Sequence, residues 1–283
     1  MEPFVLQRPN DVNEPTLLVL EQWTHTMPGL SAGFTTRLGG VSDGACTSLN
    51  CALHVHDDPA AVINNRKRVA TACGLPFEAW TCAEQVHGNH VYPVTLEDRG
   101  KGRAVREQAI QDADALITDL ADVMLTSFYA DCVPLLFVDP VTRVTGLAHA
   151  GWKGTVSQIA ARTVQQMQDV YGCNPDHIHA AIGPSIGSCC YEVDERVIKE
   201  VCHVLGHANE SVHASVLQPT TTGHAMLDLR ELNRHLLIEA GILAINIECT
   251  KLCTGCRTDL FFSHRVENGN TGRMMSWIGW QKG

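Results

Sequence analysis

Three short apolar runs in this chain end in a side chain able to bind a metal. Residues 80–83 lead into Glu84-Gln85-Val86-His87-Gly88, residues 123–129 into Ala130-Asp131-Cys132-Val133-Pro134, and residues 144–148 into His149-Ala150-Gly151-Trp152-Lys153-Gly154. Two imidazoles and a thiolate are zinc donors, and three protein ligands leave a fourth position for water or substrate. Zinc held this way is a Lewis acid whose bound water ionises near neutrality. The separations, 45 positions from His87 to Cys132 and 17 more to His149, match no local zinc-finger spacing, and a chain with 14 histidines and 12 cysteines contains accidental sets. From the residues alone, a shared metal site stands beside a plainer reading of a core thiol and surface histidines.

The turn after residue 148 carries the densest signal. Gly151 and Gly154 let a ligand approach the main chain, and the amides opening the next helix are anion donors. Lys153 adds a positive charge there. Upstream, the loop from Thr36 and Arg37 to Gly44, followed by Ser48-Leu49-Asn50, is rich in glycine and hydroxyls, a build that cradles substrates or only turns a corner. Asp131 either orients a ligand or caps a strand. Of His54 and His56, at most one faces the site if the segment is extended. Trp152 reads as core or pocket wall. Cys253 and Cys256 form a single C-x-x-C with no matching second pair, so with Cys249 they read as packing or redox-sensitive thiols, and Cys189-Cys190 as structural.

These groups must be positioned by regular elements. Residues 16–20, 32–34, 80–83, 113–118, 123–129, 135–138, 144–148, 177–182, 242–248 and 272–280 read as strands. Asp58-Pro59 opens a helix that Gly74 closes, with Asn65, Arg66, Lys67 and Arg68 as its solvated face. Further helices are predicted over 155–171, over 194–205, and from Asp228, with Glu231 completing a capping box, to just before Gly241. Residues 97–112 read as a loop. Several strands follow one another directly, so the expected fold is α+β (mixed α/β): mixed β-sheets flanked by helices, layered α/β/β/α, in a single domain over 1–283. Two similar halves sharing a core are the alternative.

Composition narrows the function. A 283-residue chain with 45% hydrophobic residues can build a full core, and a net charge of −10 without a basic stripe excludes nucleic acid as the expected partner. The first fifteen residues lack the build of a signal peptide, and no apolar stretch approaches the roughly 20 residues of a membrane helix. The twelve cysteines are therefore expected to be reduced, in a cytoplasmic protein that does not engage membrane. The sequence sets no oligomeric state.

Six motifs occur in one order: Gln85-Val86-His87-Gly88; Asp112-Ala113-Asp114-Ala115-Leu116-Ile117-Thr118; Ala130-Asp131-Cys132-Val133-Pro134; His149-Ala150-Gly151-Trp152-Lys153-Gly154; Ala181-Ile182-Gly183-Pro184-Ser185-Ile186-Gly187 with Cys189-Cys190-Tyr191-Glu192-Val193; and Thr271-Gly272-Arg273-Met274. Together with Thr36-Arg37 to Asn50 and Phe261-Phe262-Ser263-His264-Arg265, they resemble the laccase-domain family, called multicopper polyphenol oxidoreductase and also purine nucleoside phosphorylase. The likeness spans roughly Thr36 to Ile278.

The resemblance implies a mononuclear zinc centre on His87, Cys132 and His149, with copper the less favoured metal. It also implies phosphorolysis of adenosine, inosine, guanosine and methylthioadenosine, and adenosine deamination at the same site. Purine nucleosides and phosphate are the implied partners, with Arg37, Ser48, Asn50 and Lys153 expected to bind them. Two departures weaken anion binding: Lys153 stands where the family usually has Arg, and Ser263-His264-Arg265-Val266 keeps one Arg where relatives often carry two. The competing readings are a copper-dependent polyphenol oxidase, an editing hydrolase of peptidoglycan precursors, and a non-catalytic module around a closed structural metal. Multicopper chemistry uses many close His-x-His pairs, and this chain offers only His54-Val55-His56 and His177-Ile178-His179.

Overall fold

A computed structural model describes residues 2–11 and 13–282. Its strands are β1 (Val5–Gln7), β2 (Leu17–Val19), β3 (Leu30–Thr35), β4 (Trp80–Cys82), β5 (Val91–Pro93), β6 (Ala115–Thr118), β7 (Met124–Tyr129) and β8 (Val133–Asp139). They continue with β9 (Val144–Ala150), β10 (His179–Ile182), β11 (Glu192–Asp194), β12 (Leu217–Pro219), β13 (His224–Leu227), β14 (Ile247–Cys249) and β15 (Met274–Trp280). The helices are α1 (Glu21–Thr26), α2 (Pro59–Ala72), α3 (Trp152–Val156), α4 (Ile159–Tyr171), α5 (Glu195–Leu205), α6 (Glu210–Val216) and α7 (Leu229–Glu239). Among the described residues no helix is long and apolar enough to cross a membrane.

Two six-stranded mixed sheets carry the fold, in the orders β1-β2-β3-β15-β7-β4 and β14-β10-β8-β9-β6-β5. Side-chain alternation explains how they stack. Leu136 and Val138 of β8 join Phe34, Leu125 and Ile278 of the first sheet in one core, while Val133, Leu135 and Phe137 pack with α4, α5 and α7 on the opposite face. On the far side of the first sheet, Met124, Phe128, Met275 and Trp277 pack against Val69 and Ala70 of α2. The layering is therefore helix, sheet, sheet, helix, as expected. Both faces of the central strands are covered, which is why they read as unbroken apolar runs.

Local departures from the sequence reading have physical causes. Gln158 adopts φ 61, so the helix predicted over 155–171 is two helices, α3 and α4, broken at that left-handed residue. The cap on α7 is one-sided: Asp228 accepts from the amides of Arg230 and Glu231, but its own amide donates to Val216, so the return half of the capping box does not form. Residues 175–177 and 244–246 are single 3₁₀ turns, which shorten two predicted strands to β10 and β14. β8 starts at Val133, earlier than predicted, because Pro134 is tolerated opposite His149 of β9. A small third sheet, β11-β13-β12, and the short helices α1 and α6 had no periodic signal.

The solvated face assigned to α2 is half wrong. Asn65 is fully buried, accepts from Val41 N and donates to Ser42 Oγ and to the carbonyls of Ser48 and Asn50. Arg66 is 2% exposed, donates to the carbonyls of Cys51, Gly102 and Arg103, and lies 4.5 Å from the Phe128 ring centroid. A buried polar group is retained when its hydrogen bonds are met. These two side chains pin the folded-over loops on either side of α2 to the sheet that carries Phe128.

Candidate functional site

β4, β7 and β9 deliver the three ligand candidates to one place. The ligand atoms of His87, Cys132 and His149 all lie within 4.8 Å of one another. Cys132 Sγ is 4.0 Å from His87 Nε2, and the two imidazoles stand edge to face with centroids 4.8 Å apart. Donors bound to one tetrahedral zinc are separated by about 3.3–3.8 Å, so only a small contraction separates this cluster from a ligated one.

Asp114, at the mouth of β6, organises the cluster. Its carboxylate accepts from the amides of Val86 (3.2 Å), His87 (3.0 Å) and Gly88 (2.6 Å), and from His149 Nδ1 (2.9 Å). One buried group thus fixes the backbone of the first histidine and the ring of the second. With Nδ1 engaged, His149 presents Nε2 as its free ligand atom, the arrangement by which carboxylates orient ligating histidines. The Asp114 backbone carbonyl also accepts from His149 N at 2.7 Å. Burial opposes the charge on Asp114, but the His149 bond and the amides outweigh it and hold the carboxyl below its usual range.

The same balance operates on the ligands. Burial disfavours the Cys132 thiolate, yet the charge and hydrogen bonds of His149, then of His87, bring the thiol below its ordinary value. Burial likewise opposes protonation of His149, while Cys132 and Asp114 raise it. Thiolate and imidazolium stabilise each other in the metal-free protein, so the thiol is supplied in its ligating form, and a bound ion would replace the Nε2 proton of His149.

Backbone geometry is committed to this arrangement. His87 (φ 62) and Asp131 (φ 84) are non-glycine residues in the left-handed region, the strain of which costs on the order of 1 kcal/mol or more each. Asp131 is held by Thr254 Oγ1 (2.6 Å) and the Arg265 amide (2.7 Å), and its carbonyl accepts from Ile186 N (3.0 Å). It aims the next residue, Cys132, without reaching the cluster itself. A Cβ on Gly151 would sit 3.0 Å from Cys132 Sγ and 3.1 Å from His87 Cδ2, so glycine keeps the space among the donors clear. Donor types, spacing and this cleared volume all fit a bound metal ion.

The cluster opens into a cavity of about 530 Å³. Phe128, Trp152 and Tyr191 give it aromatic wall, and Lys153, Arg106, Arg265 and Arg273 give it positive charge against the two carboxylates of Glu84 and Asp131. Arg106 is paired with Glu84, and Arg273 donates to the carbonyls of Thr271 and Gly272. Arg265 stacks on Tyr191 at 4.9 Å and donates to the Glu192 carbonyl. Lys153 makes no ion pair among the described residues. His54 lines the cavity and is pushed down to about 4 by burial and by Arg273 and Arg106, whereas His56 lines a separate pocket. The cavity can therefore hold an anion beside a flat ring, with a metal position at its floor.

The expected substrate contacts divide. Lys153 lines the cavity; Arg37, Ser48 and Asn50 do not. Arg37 is bound to Glu267 and to the carbonyls of Thr47 and Thr258, and covers the Phe262 ring at 4.5 Å. Ser48 Oγ returns to the Arg37 carbonyl, and buried Asn50 bonds Ala52, Asp57 and the Arg273 amide. These three brace the loop and, through Asn50, the backbone of Arg273. Sequence reading missed Asp114 as the organiser, and Glu84, Arg106 and Tyr191 as wall; the position of Asp114 in a buried strand motif was the available signal.

Comparison with known proteins identifies relatives across nearly the whole chain. The chain is 42% identical over 274 residues to the purine nucleoside phosphorylase YlmD of Bacillus subtilis, covering 96% of this chain and 97% of that protein. It is 33% identical over 255 residues to the adenosine deaminase RL5 of an unknown prokaryotic organism, covering 89% and 95%. The crystal structure of YlmD from Geobacillus stearothermophilus superposes with a TM-score of 0.91 at 40% identity, over 99% of this chain and 100% of that one. The family model described as multi-copper polyphenol oxidoreductase laccase matches residues 31–281, a span that includes His87, Cys132 and His149, and the chain belongs to that family.

Proposed function

We propose that this protein is a zinc-dependent purine nucleoside phosphorylase, converting adenosine, inosine, guanosine or methylthioadenosine with phosphate to free base and ribose 1-phosphate, and that it also deaminates adenosine. The observation that carries the reading is the three-donor cluster at the floor of a cavity that also holds the unpaired Lys153. Three protein donors leave one position open, which distinguishes a catalytic from a structural zinc site. The names of the relatives point to the same chemistry.

His87, Cys132 and His149 would hold the ion, which when bound supplies a Lewis acid for oxygen ligands. Phosphorolysis forms a bond from a phosphate oxygen to the anomeric carbon and breaks the bond to the base nitrogen, which leaves with the electron pair. Lys153 and Arg265, both on the cavity wall, hold the phosphate by charge, and Phe128, Trp152 and Tyr191 offer faces for the purine. Deamination adds water to the amino-bearing carbon and expels ammonia; it uses the same cleft without phosphate. Asp114 keeps the proton of His149 on Nδ1, which frees Nε2 for the metal. We read the chain as one domain over 1–283, working in the cytoplasm, where thiolate ligands stay reduced.

The copper-oxidase reading follows from the family's description, and two imidazoles with a thiolate also suit copper. Multicopper chemistry needs further histidine-rich sites. Among the described residues, His87-Cys132-His149 is the one metal-capable group containing histidine, and neither His177 nor His179 belongs to it. Incubation of metal-quantified protein with adenosine, with and without phosphate, tests the proposal. Ribose 1-phosphate and adenine formed only with phosphate, inosine formed without it, and, in Cys132→Ala, loss of both products together with the zinc of this three-donor cluster are expected. Fully zinc-loaded protein that leaves nucleosides intact would overturn it and favour peptidoglycan precursors as substrate or a binding role.

A further inference from the structure

A second set of metal-capable side chains lies outside the cavity. Cys189, Cys190, Cys253 and Cys256 place all four Sγ atoms within 4.8 Å of one another. Cys256 Sγ is 3.3 Å from Cys189 Sγ and 3.4 Å from Cys190 Sγ. Cys249, the other cysteine of the C-terminal group, is not among them; its thiol points to the Thr250 carbonyl. The two pairs come from loops about 65 residues apart, joined by a bridge between Ser185 and Cys253 and by the bond from Thr254 N to the Ser185 carbonyl.

Core packing does not account for this convergence. Cys189 and Cys256 are exposed and Cys190 is partly exposed, whereas a thiol kept for packing is buried. The surroundings are shaped around the sulfurs. Gly187 N donates to Cys253 Sγ at 3.2 Å, as backbone amides do to metal-bound thiolates. A Cβ on Gly255 would sit 2.9 Å from Cys190 Cβ and 3.1 Å from its Sγ, so glycine is needed for the second loop to close over the first. Four thiolates on a tetrahedral zinc lie about 2.3 Å from the ion and hence about 3.8 Å from one another, within the span observed here.

We propose that Cys189, Cys190, Cys253 and Cys256 bind a structural zinc ion that clasps the loop after β10 to the loop before β15. Four sulfurs fill a tetrahedron and leave no position for water or substrate, so this site holds structure and does no chemistry. What it holds is next to the cavity. The first loop supplies Ile186 N to the Asp131 carbonyl, and the second supplies Thr254 Oγ1 to the Asp131 carboxylate. The clasp thus fixes, from both sides, the strained residue that precedes Cys132.

The test counts zinc by mass spectrometry on native protein and identifies its ligands by X-ray absorption. A His87→Ala/His149→Ala variant, purified under reducing conditions with zinc present, is expected to retain one zinc per chain in an all-sulfur shell at about 2.3 Å. Wild type is expected to hold two, and Cys253→Ser/Cys256→Ser to lose one of them while keeping a mixed nitrogen and sulfur signature. Should the cysteine variant fail to fold, the histidine variant decides alone. Absence of stoichiometric zinc from the histidine variant would overturn the proposal. So would a disulfide among these four cysteines, located by peptide mapping under the same conditions.

Discussion

The cluster of His87, Cys132 and His149 and the cluster of Cys189, Cys190, Cys253 and Cys256 occupy similar volumes, since each set of ligand atoms fits within 4.8 Å, but they differ in what surrounds them. The first has three donors, mixed in type, opening into a cavity of about 530 Å³ with cationic and aromatic walls. The second has four identical donors between two loops. Donor number and access, more than donor chemistry, separate a site that can turn over a substrate from one that can only brace a fold. Asp131 connects them, because both cysteine loops bond to the residue that precedes Cys132.

The contrast is broken most severely by removing a donor from the open site. Cys132→Ala is expected to reduce adenosine phosphorolysis to below about one part in 1,000 and to lower the melting temperature, because the bound ion and the pairing with His149 are lost together. Assay of product alongside a melting curve checks both halves. Asp114→Asn keeps the shape but removes the charge that orients His149, and should lower activity and metal affinity about 10–100-fold, measured by competition with a chromophoric chelator. Lys153→Ala should raise the KM for phosphate about tenfold with a smaller change in kcat, and Lys153→Arg should lower it, since a guanidinium grips phosphate at two points.

A pH measurement probes the open site through its own thiol. In metal-free protein Cys132 ionises below the ordinary thiol value and His149 above the ordinary imidazole value. The depressed thiol contributes stability above its unfolded value and loses it as pH falls through the folded one; the raised imidazole contributes below its unfolded value and loses it as pH rises through the folded one. The ion pair therefore persists between these limits. Alkylation at the Cys132 peptide, followed by mass spectrometry, should inflect below pH 9.0, and His149→Ala should move the inflection upward. The smallest expected effect is that of Thr254→Val, which removes one bond to Asp131. A cost of about 1 kcal/mol and a few-fold loss of kcat, without loss of either metal, would mark the link between the sites.

The sequence made the open site legible because each of its donors sits at the end of an apolar run, beside a residue that breaks it. The layering was legible for a related reason, as strands covered on both faces read as long apolar segments. The cysteine clasp was hidden because its members are far apart in the chain, Cys256 lying 67 positions from Cys189 and 66 from Cys190, a proximity that only the fold creates. Asn65 and Arg66 were hidden differently: their polar types suggest water, while the loops folded over α2 supply carbonyls instead. Arg37, Ser48 and Asn50 carry residue types suited to a ligand, but those polar groups are consumed in holding their own loop. Gln158 gave no sign of its turn, since glutamine ordinarily continues a helix.

The most direct test of the central claim is reconstitution of chelated, metal-free protein with zinc or with copper, followed in parallel by adenosine cleavage in phosphate and by oxygen uptake with a phenol. The account predicts that zinc alone restores ribose 1-phosphate formation and that neither metal supports oxygen uptake. Oxygen consumption by the copper-loaded protein, with adenosine left intact by the zinc-loaded one, would contradict it.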